Sequence, residues 1–247
     1  MKPSLEDTLA LMRDLRRRCE WDAVQTHESL RPYLIEEAYE VDEALQAGDD
    51  ARLREELGDL WLQILFHAVI AEERGAFALQ DVADGFITKM KARHPHLYGD
   101  GVREPWEKMK ARKRESILEG LPHGLPTLHR AFRLQDRAAG VGFDWPNTEG
   151  PLEKVREELN EVEEELAESA PDQERIQEEI GDLLFAVVNL ARKAGVHPAL
   201  ALDRANAKFS GRFAAIEKLA AERGIKVSDA GLAVLDALWD EVKNSDR

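Results

Sequence analysis

The sequence has little that would build a sheet, a disulfide or a membrane span. Cys19 is the sole cysteine among 247 residues, which excludes an intramolecular disulfide and a thiolate metal site. Aromatic residues make up only 6%, and runs rich in valine, isoleucine and threonine are almost absent, so the composition favours an all-α fold. The N-terminus lacks an apolar signal core, and the most apolar stretch, 61–71, is too short to cross a bilayer. We therefore expect a cytoplasmic protein with no membrane contact.

Basic residues are also scarce relative to acidic ones. The chain carries 34 lysines and arginines against 49 acidic residues, a formal net charge of −15. A nucleic-acid groove needs an excess of basic residues to meet phosphates, so this balance argues against nucleic acid as a partner. An anionic small substrate is compatible with the charge if cations bridge it to the protein, and a divalent metal would be such a bridge. The sequence also lacks a Walker-type glycine-rich loop and a serine or cysteine nucleophile signature.

The chain contains an internal repeat. The segment LIEEAYEV at 34–41 is matched by VREELNEV at 155–162, and EELGDL at 55–60 is matched by EEIGDL at 178–183. The two matches are displaced by 121 and 123 residues, which indicates a duplication with small changes in the loops.

The repeats divide the chain into three predicted parts: an N-terminal repeat over 1–100, a helical inter-repeat region over 101–145 and a C-terminal repeat over 146–247. Six of the ten prolines lie in the middle stretch from Pro95 to Pro151. This stretch is predicted to hold one helix from Pro105 to about Leu118. A second helix would run to about Ala139 and be stopped by Gly140.

Each repeat is predicted to contain an antiparallel helical hairpin. Apolar residues at helical spacing follow the second acidic motif in both copies, as in Leu60, Ile64 and Ala68. The hairpin loops are predicted at 48–50 and at 169–172, where Pro171 stands at a position suited to a helix start. We expect four-helix-bundle-like units. A single repeat has too few helices to bury both faces of its hairpin, so we expect a homodimer, although the apolar stripes could instead be covered within the chain.

Four carboxylates in each repeat have the spacing of a metal site. The N-terminal quartet is Glu37, Glu40, Glu56 and Asp59, and the C-terminal quartet is Glu158, Glu161, Glu179 and Asp182. Residues three apart share one face of a helix, so a closed hairpin would bring each quartet together. Converging carboxylates repel one another unless a cation lies among them, and hard oxygen ligands suit Mg²⁺, with Mn²⁺ as a possible substitute.

Acidic residues on helices are more often solvated than metal-bound, and a single Glu-x-x-Glu pair would not indicate a site. We predict that Glu163, Glu164 and Glu165 form such a solvated run. The quartets differ from this background because Glu-x-x-Glu is paired with Glu-x-x-Asp directly before an apolar stripe, and because the combination occurs twice.

These motifs resemble the signature of the MazG-type nucleotide pyrophosphohydrolases. In both copies Glu-Glu-x-x-Glu is followed after 15 to 17 residues by Glu-x-x-Asp. The segments at 93–96, 120–122 and 141–145 also resemble the two-domain bacterial form, so the resemblance covers nearly the whole chain. It implies Mg²⁺-dependent hydrolysis of nucleoside triphosphates between the α and β phosphates, giving the monophosphate and pyrophosphate in nucleotide-pool housecleaning. It also implies that the eight acids are metal ligands.

Further residues have candidate roles beside the acids. Glu157 precedes the C-terminal ligand pair and would either orient the attacking water or face solvent. The basic pairs Lys89 with Arg93 and Lys208 with Arg212 lie four residues apart on a later helix of each copy. They are predicted to hold phosphate oxygens, although exposed basic pairs are common on helices. Asp203 is a candidate partner for Lys208.

The two copies differ at polar positions. Asn189 stands where the N-terminal copy has Phe66, and Asn206 stands where it has Ile87. An asparagine can read a base or sugar edge by hydrogen bonds, whereas phenylalanine and isoleucine can only pack. This difference predicts that the C-terminal repeat is the main active site, as the family resemblance also implies. Two alternatives stay open: a narrower dUTP or phosphoribosyl-ATP pyrophosphohydrolase, and a non-hydrolytic helical protein that binds nucleotide or metal in regulation.

Overall fold

The computed structural model describes residues 2–103 and 116–245, and within them every regular element is a helix. The chain divides into two compact units, Met1–Arg103 and Glu104–Arg247. The all-α prediction is therefore confirmed. None of the described helices combines the length and the apolarity needed to cross a membrane.

The first unit is built around one long hairpin. Its helices are α1 (Leu5–Arg18), α2 (Glu20–Val24), α3 (Arg31–Ala47), α4 (Asp50–Glu73), α5 (Leu79–Arg93) and α6 (Pro95–Tyr98). Helices α3 and α4 form the predicted hairpin, and α1 packs against α4. Gly48 ends α3 with a φ of +66°, a backbone conformation that favours glycine. Asp49 then caps α4, because its carboxylate accepts hydrogen bonds from the backbone N–H groups of Ala51 and Arg52 at 2.9 and 3.1 Å.

The second unit repeats this arrangement. Its helices are α7 (Thr127–Gly140), α8 (Glu149–Ala167), α9 (Gln173–Lys193), α10 (Pro198–Glu222) and α11 (Gly231–Ser245), with a 3₁₀ turn at Val227–Asp229. Helices α8 and α9 form the hairpin, and both α7 and α10 pack against α9. Helix α9 begins after Pro171 rather than at it. Asp172 is its N-cap and accepts a hydrogen bond from the backbone N–H of Glu174 at 2.9 Å.

The inter-repeat predictions are met in part. Gly140 is the last residue of helix α7 rather than a residue beyond its end. The glycine with positive φ that follows the helix is Gly142, at +96°. The helix predicted from Pro105 to Leu118 falls mainly on 104–115, outside the described residues. Residues 116–120 form a bend and a turn.

The two units have different cores. In the first unit Met12 from α1, Leu30, and Phe66 from α4 are at most 2% exposed and belong to one apolar cluster. In the second unit Ile216 of α10 packs with Leu238 of α11. The apolar cluster of the second unit therefore lies between α10 and α11, away from its acid-bearing hairpin.

Candidate active site

The acids of the C-terminal repeat converge between the two helices of their hairpin. Glu158 extends from α8, while Glu179 and Asp182 extend from α9, and one carboxylate oxygen of each lies within 4.8 Å of the other two. Glu158 is buried and Asp182 is exposed. Glu158 therefore anchors the cluster in the interior of the hairpin, whereas Asp182 on α9 is accessible to solvent.

Glu161, the fourth predicted ligand, lies beside this cluster. A hydrogen bond with Glu158 raises the pKa of Glu161, and burial and the charges of Glu158 and Glu179 act in the same direction. Two carboxyl groups can share a hydrogen bond only when one carries a proton. A cation among them would favour the charged forms instead, and a set of carboxylate oxygens is the donor chemistry that Mg²⁺ prefers.

The C-terminal cluster also contains a lysine that the sequence motifs did not indicate. Lys154 Nζ lies 2.5 Å from Glu158 Oε1 and 2.9 Å from Glu157 Oε1. The hydrogen bonds to Glu157 and Glu158 raise the pKa of Lys154. A signal was available, because Lys154 precedes these glutamates by three and four residues, the spacing at which helical side chains meet. Glu157 is thus held beside the cluster while its side chain stays 58% exposed.

The acids of the N-terminal repeat also converge. Glu37 and Glu40 of α3 and Glu56 of α4 have carboxylate oxygens within 4.8 Å of one another. Burial raises the pKa of Glu37, and the next largest cause is the charge of Asp59, which places the fourth acid nearby. The charge of Glu56 raises the pKa of Glu40, with burial and a hydrogen bond to Glu56 acting in the same direction.

The basic side chain that contacts the acid cluster differs between the repeats. In the N-terminal repeat Arg52 Nε lies 3.2 Å from Glu56 Oε1. The matching arginine of the C-terminal repeat, Arg175, instead lies 2.5 Å from Glu165. The positive charge therefore comes from α4 in the first copy and from Lys154 on α8 in the second.

The prediction that Glu163–Glu165 form a solvated run is wrong for Glu165. Glu163 and Glu164 are exposed, but Glu165 is 9% exposed and forms the ion pair with Arg175. Glu165 follows Glu158 by seven residues and therefore shares its buried face of α8.

A pocket lies beside the C-terminal acids along α9. Asp182, Phe185, Asn189 and Arg192 are spaced three, four and three residues apart, so they share one face of the helix. The last three line a cavity of about 630 Å³, and its other walls come from Leu118, α7 and the segment 142–145. Asn189, which we predicted to read a base or sugar, is thus part of a pocket wall that continues from the acid cluster.

The equivalent space in the N-terminal repeat is filled. Phe66, at the position of Asn189, is 2% exposed and packs in the core with Met12 and Leu30. The ring of Trp21 meets Phe66 edge-on, with 6.2 Å between the centroids. The position that lines a pocket in one repeat therefore belongs to a packed core in the other.

The predicted phosphate-binding pair lies at a different place. Asn206, Lys208 and Arg212 line a smaller pocket of about 360 Å³ between α10 and α11. The Arg212 guanidinium lies 5.8 Å from the centroid of the Trp239 ring, which also lines it. None of the four acids is among the described residues around this pocket, so the unit by itself does not join the basic pair to the predicted metal ligands.

The remaining predicted residues lie on helix surfaces. Asp203 is exposed on α10, five residues before Lys208. In the N-terminal repeat Lys89 is exposed on α5, and Arg93 is half-buried at the end of the same helix.

Comparison with known proteins identifies the family. The family model described as the MazG nucleotide pyrophosphohydrolase domain matches residues 25–98 and 148–214. The nucleoside triphosphate pyrophosphohydrolase/pyrophosphatase MazG of Thermotoga maritima is 43% identical over 250 residues, covering 98% of this chain and 96% of that protein. The nucleoside triphosphate pyrophosphohydrolase of Escherichia coli (strain K12) is 39% identical over 247 residues, covering 95% of this chain and 94% of that protein.

A similar sequence also forms about half of a longer protein. The uncharacterized protein YabN of Bacillus subtilis is 42% identical over 251 residues, which cover 96% of this chain and 51% of that protein. Both segments matched by the family model contain one acidic quartet each, which confirms the tandem repeat. The chain therefore belongs to the MazG family of nucleotide pyrophosphohydrolases.

Proposed function

We propose that this protein hydrolyses nucleoside triphosphates between the α and β phosphates, releasing the monophosphate and pyrophosphate, with the C-terminal repeat as its main active site. The observation that carries the proposal is the convergence of Glu158, Glu179 and Asp182 beside an open pocket. Two full-length relatives bear the name nucleoside triphosphate pyrophosphohydrolase, which supports the substrate class.

Glu158, Glu161, Glu179 and Asp182 would hold Mg²⁺, or Mn²⁺ in its place. Their carboxylate oxygens match the ligand preference of these hard cations. When bound, the metal supplies neutralisation of phosphate charge and activation of water. The net negative charge of the protein makes such a bridge necessary for a triphosphate, because carboxylates alone would repel it.

The chain's own side chains contribute position and proton transfer. Glu157 is held by Lys154 through Oε1 beside the cluster and remains exposed, so its second carboxylate oxygen would accept a proton from an attacking water. Lys208 and Arg212, with Arg212 placed over Trp239, offer a cationic surface for phosphate oxygens.

The C-terminal repeat is favoured because its stripe on α9 leads from Asp182 into a pocket. In the N-terminal repeat the same stripe ends in the buried Phe66. We propose that the N-terminal repeat keeps its acid cluster without efficient turnover. Because nucleoside triphosphates are held in the cytoplasm, we place the activity there, as nucleotide-pool housecleaning.

We also propose that the protein acts as a homodimer. Ile180, Leu184 and Val187 lie at i, i+4 and i+7 on α9 and are 42%, 55% and 44% exposed. Such a continuous apolar stripe on one helix is typical of a contact surface. Light scattering should give twice the chain mass for the wild type and a smaller mass for Leu184→Glu, whereas a monomeric wild type would contradict the dimer.

A product assay tests the function. Purified protein is incubated with phosphoribosyl-ATP and with a panel of ribo- and deoxyribonucleoside triphosphates that includes dUTP, with and without Mg²⁺, and the products are separated. We expect metal-dependent monophosphate and pyrophosphate. Diphosphate and phosphate would contradict α–β cleavage, turnover of dUTP or phosphoribosyl-ATP alone would indicate a narrower enzyme, and binding without turnover would indicate a regulatory protein.

A further inference from the structure

The last turn of α7 holds a segment that precedes this helix in the chain. Arg137 is 5% exposed, and its Nη1 donates hydrogen bonds to the backbone carbonyls of Ile117 at 3.3 Å and Glu119 at 2.6 Å. Its Nη2 donates to the backbone carbonyl of Gly120 at 3.4 Å. One buried guanidinium therefore contacts three carbonyls within residues 117–120, which we call the tethered segment.

These hydrogen bonds fix the tethered segment at a point where the local backbone would not. Residues 116–120 form a bend and a turn rather than a helix or a strand. The chain enters α7 at Thr127, and the ten residues from there to Arg137 span about 15 Å of helix. The tethered segment therefore lies beside the far end of α7 from the point where the chain joins it. Charged donors form stronger hydrogen bonds than neutral ones, and the planar fork of an arginine can contact several carbonyls at once.

The tethered segment carries a side chain that lines the pocket beside the C-terminal acids. Leu118 lies between the two residues whose carbonyls accept from Arg137 Nη1, and it forms part of the wall of the 630 Å³ cavity. Leu118 is 45% exposed, so its position is not set by burial in a core. A side chain on an exposed turn keeps its position only if its backbone is held, and Arg137 supplies that hold.

We infer that Arg137 is a positioning residue: its guanidinium holds the tethered segment so that Leu118 closes one side of the pocket. The inference rests on the proposed function, because this pocket lies beside the acids that would hold the metal. Arg137 is not among the described residues that line the pocket, so it acts through Leu118. Its loss should therefore weaken substrate binding and leave the chemical step nearly unchanged.

The first unit offers a matched control. Arg16, in the last turn of α1, is also buried, and its Nη1 donates to the backbone carbonyls of Asp22 and Gln25. It also forms an ion pair with Glu73. Arg16 thus holds a loop as Arg137 does, but in the unit whose equivalent space is filled by the core.

A double-mutant cycle tests whether Arg137 acts through Leu118. We measure kcat and KM for the preferred nucleoside triphosphate in Arg137→Lys, Leu118→Ala, the double variant and Arg16→Lys. Lysine keeps the charge of arginine but loses its planar fork. We expect each single variant in the second unit to raise KM about fivefold, with kcat within about twofold of wild type, and Arg16→Lys to leave both unchanged.

The double variant decides between the inference and a merely structural role. If Arg137 acts through Leu118, the double variant should exceed the larger single effect on KM by less than about twofold, whereas independent effects would multiply to about 25-fold. Multiplied effects, or a loss of kcat without a change in KM, would overturn the inference. If no triphosphate is hydrolysed, the Kd for the same nucleotide replaces KM, so the inference and the proposed function fail separately.

Hydrogen exchange tests the hold on the backbone without any substrate. The peptide 116–126 should exchange about tenfold faster in Arg137→Lys than in wild type and at the wild-type rate in Arg16→Lys. Gly120→Val is a second variant in case Arg137→Lys does not fold. Gly120 is exposed with a φ of +73°, which valine adopts only with strain, so this change disturbs the same contacts from the loop side. Wild-type exchange and wild-type KM in either folded variant would contradict the positioning role.

Discussion

The two repeats have the same acidic hairpin but different surroundings. In the N-terminal repeat, Phe66 and Trp21 fill the space beyond the acids, and Arg52 reaches into the cluster from α4. In the C-terminal repeat, Asn189 lines an open pocket at the matching position, and Lys154 contacts the cluster from α8. A duplicated acidic motif is thus retained in both copies, while the neighbouring side chains determine whether a pocket lies beside it.

The largest expected effect comes from removing acids in one repeat at a time. Glu158→Gln with Glu179→Gln should lower kcat by more than about 100-fold, because metal binding supplies several kcal/mol of transition-state stabilisation. The matched pair Glu37→Gln with Glu56→Gln should leave kcat within about threefold of wild type. Equal losses from the two pairs in the product assay would show that the repeats contribute equally.

The next largest effect concerns the core. Phe66→Asn should destabilise the first unit by about 3–5 kcal/mol, since it leaves a cavity and buries an amide. The reciprocal change Asn189→Phe should cost much less, because the pocket has room for the ring. Urea unfolding of both variants gives the comparison, and a similar loss of stability in the two would contradict the contrast between core and pocket.

Mg²⁺ should stabilise the protein to a smaller extent. A ligand present at about 100 times its Kd stabilises the folded state by about 2.7 kcal/mol. We expect Mg²⁺ to raise the Tm of the wild type. The increase should be smaller in the variant that combines Glu158→Gln with Glu179→Gln. Calcium chloride and sodium chloride at equal ionic strength serve as controls, and an identical increase with sodium chloride would contradict specific binding.

The smallest expected effect is on the dependence of stability on pH, and both units should show it. His27 Nδ1 and His67 Nδ1 lie 2.8 Å apart in the first unit, and His129 Nδ1 and His197 Nε2 lie 3.1 Å apart in the second. Burial lowers the pKa of His67, with the charge of His27 acting in the same direction. Burial and the charge of His197 similarly lower the pKa of His129.

A histidine whose folded pKa is lowered contributes stability that is present above the unfolded pKa. That contribution is lost as the pH falls through the unfolded pKa toward the folded one, because the unfolded chain binds the proton more tightly. Thermal unfolding should therefore show a Tm that decreases between about pH 7 and pH 5.5. His67→Phe and His129→Phe should each weaken this decrease, and a dependence unchanged in the double variant would contradict the assignment.

Much of the architecture could be predicted from residue patterns. The hairpin loops at 48–50 and 169–172 follow from glycine and capping aspartates, which act locally. The acid quartets follow from spacing, because residues three apart share a helix face whatever the surroundings. The burial of Glu165 could not be predicted in this way, since it depends on which face of α8 turns toward α9 and on an arginine ten residues away.

Taken alone, the sequence determined the helical class, the duplication, the family and the eight acids, because these depend on composition and on short-range periodicity. Only the tertiary structure shows that Phe66 is buried in the core of one repeat while Asn189 lines a pocket in the other. The same holds for Gln135 on α7, which lines the same pocket as Asn189. Those outcomes depend on packing between segments about 50 residues apart, where the space left by one side chain is set by neighbours that no local pattern identifies. The acids contact Lys154 in one copy and Arg52 in the other, and this difference also depends on tertiary packing. Several basic residues in each hairpin have suitable spacing, so only the folded structure shows which of them contacts the acids.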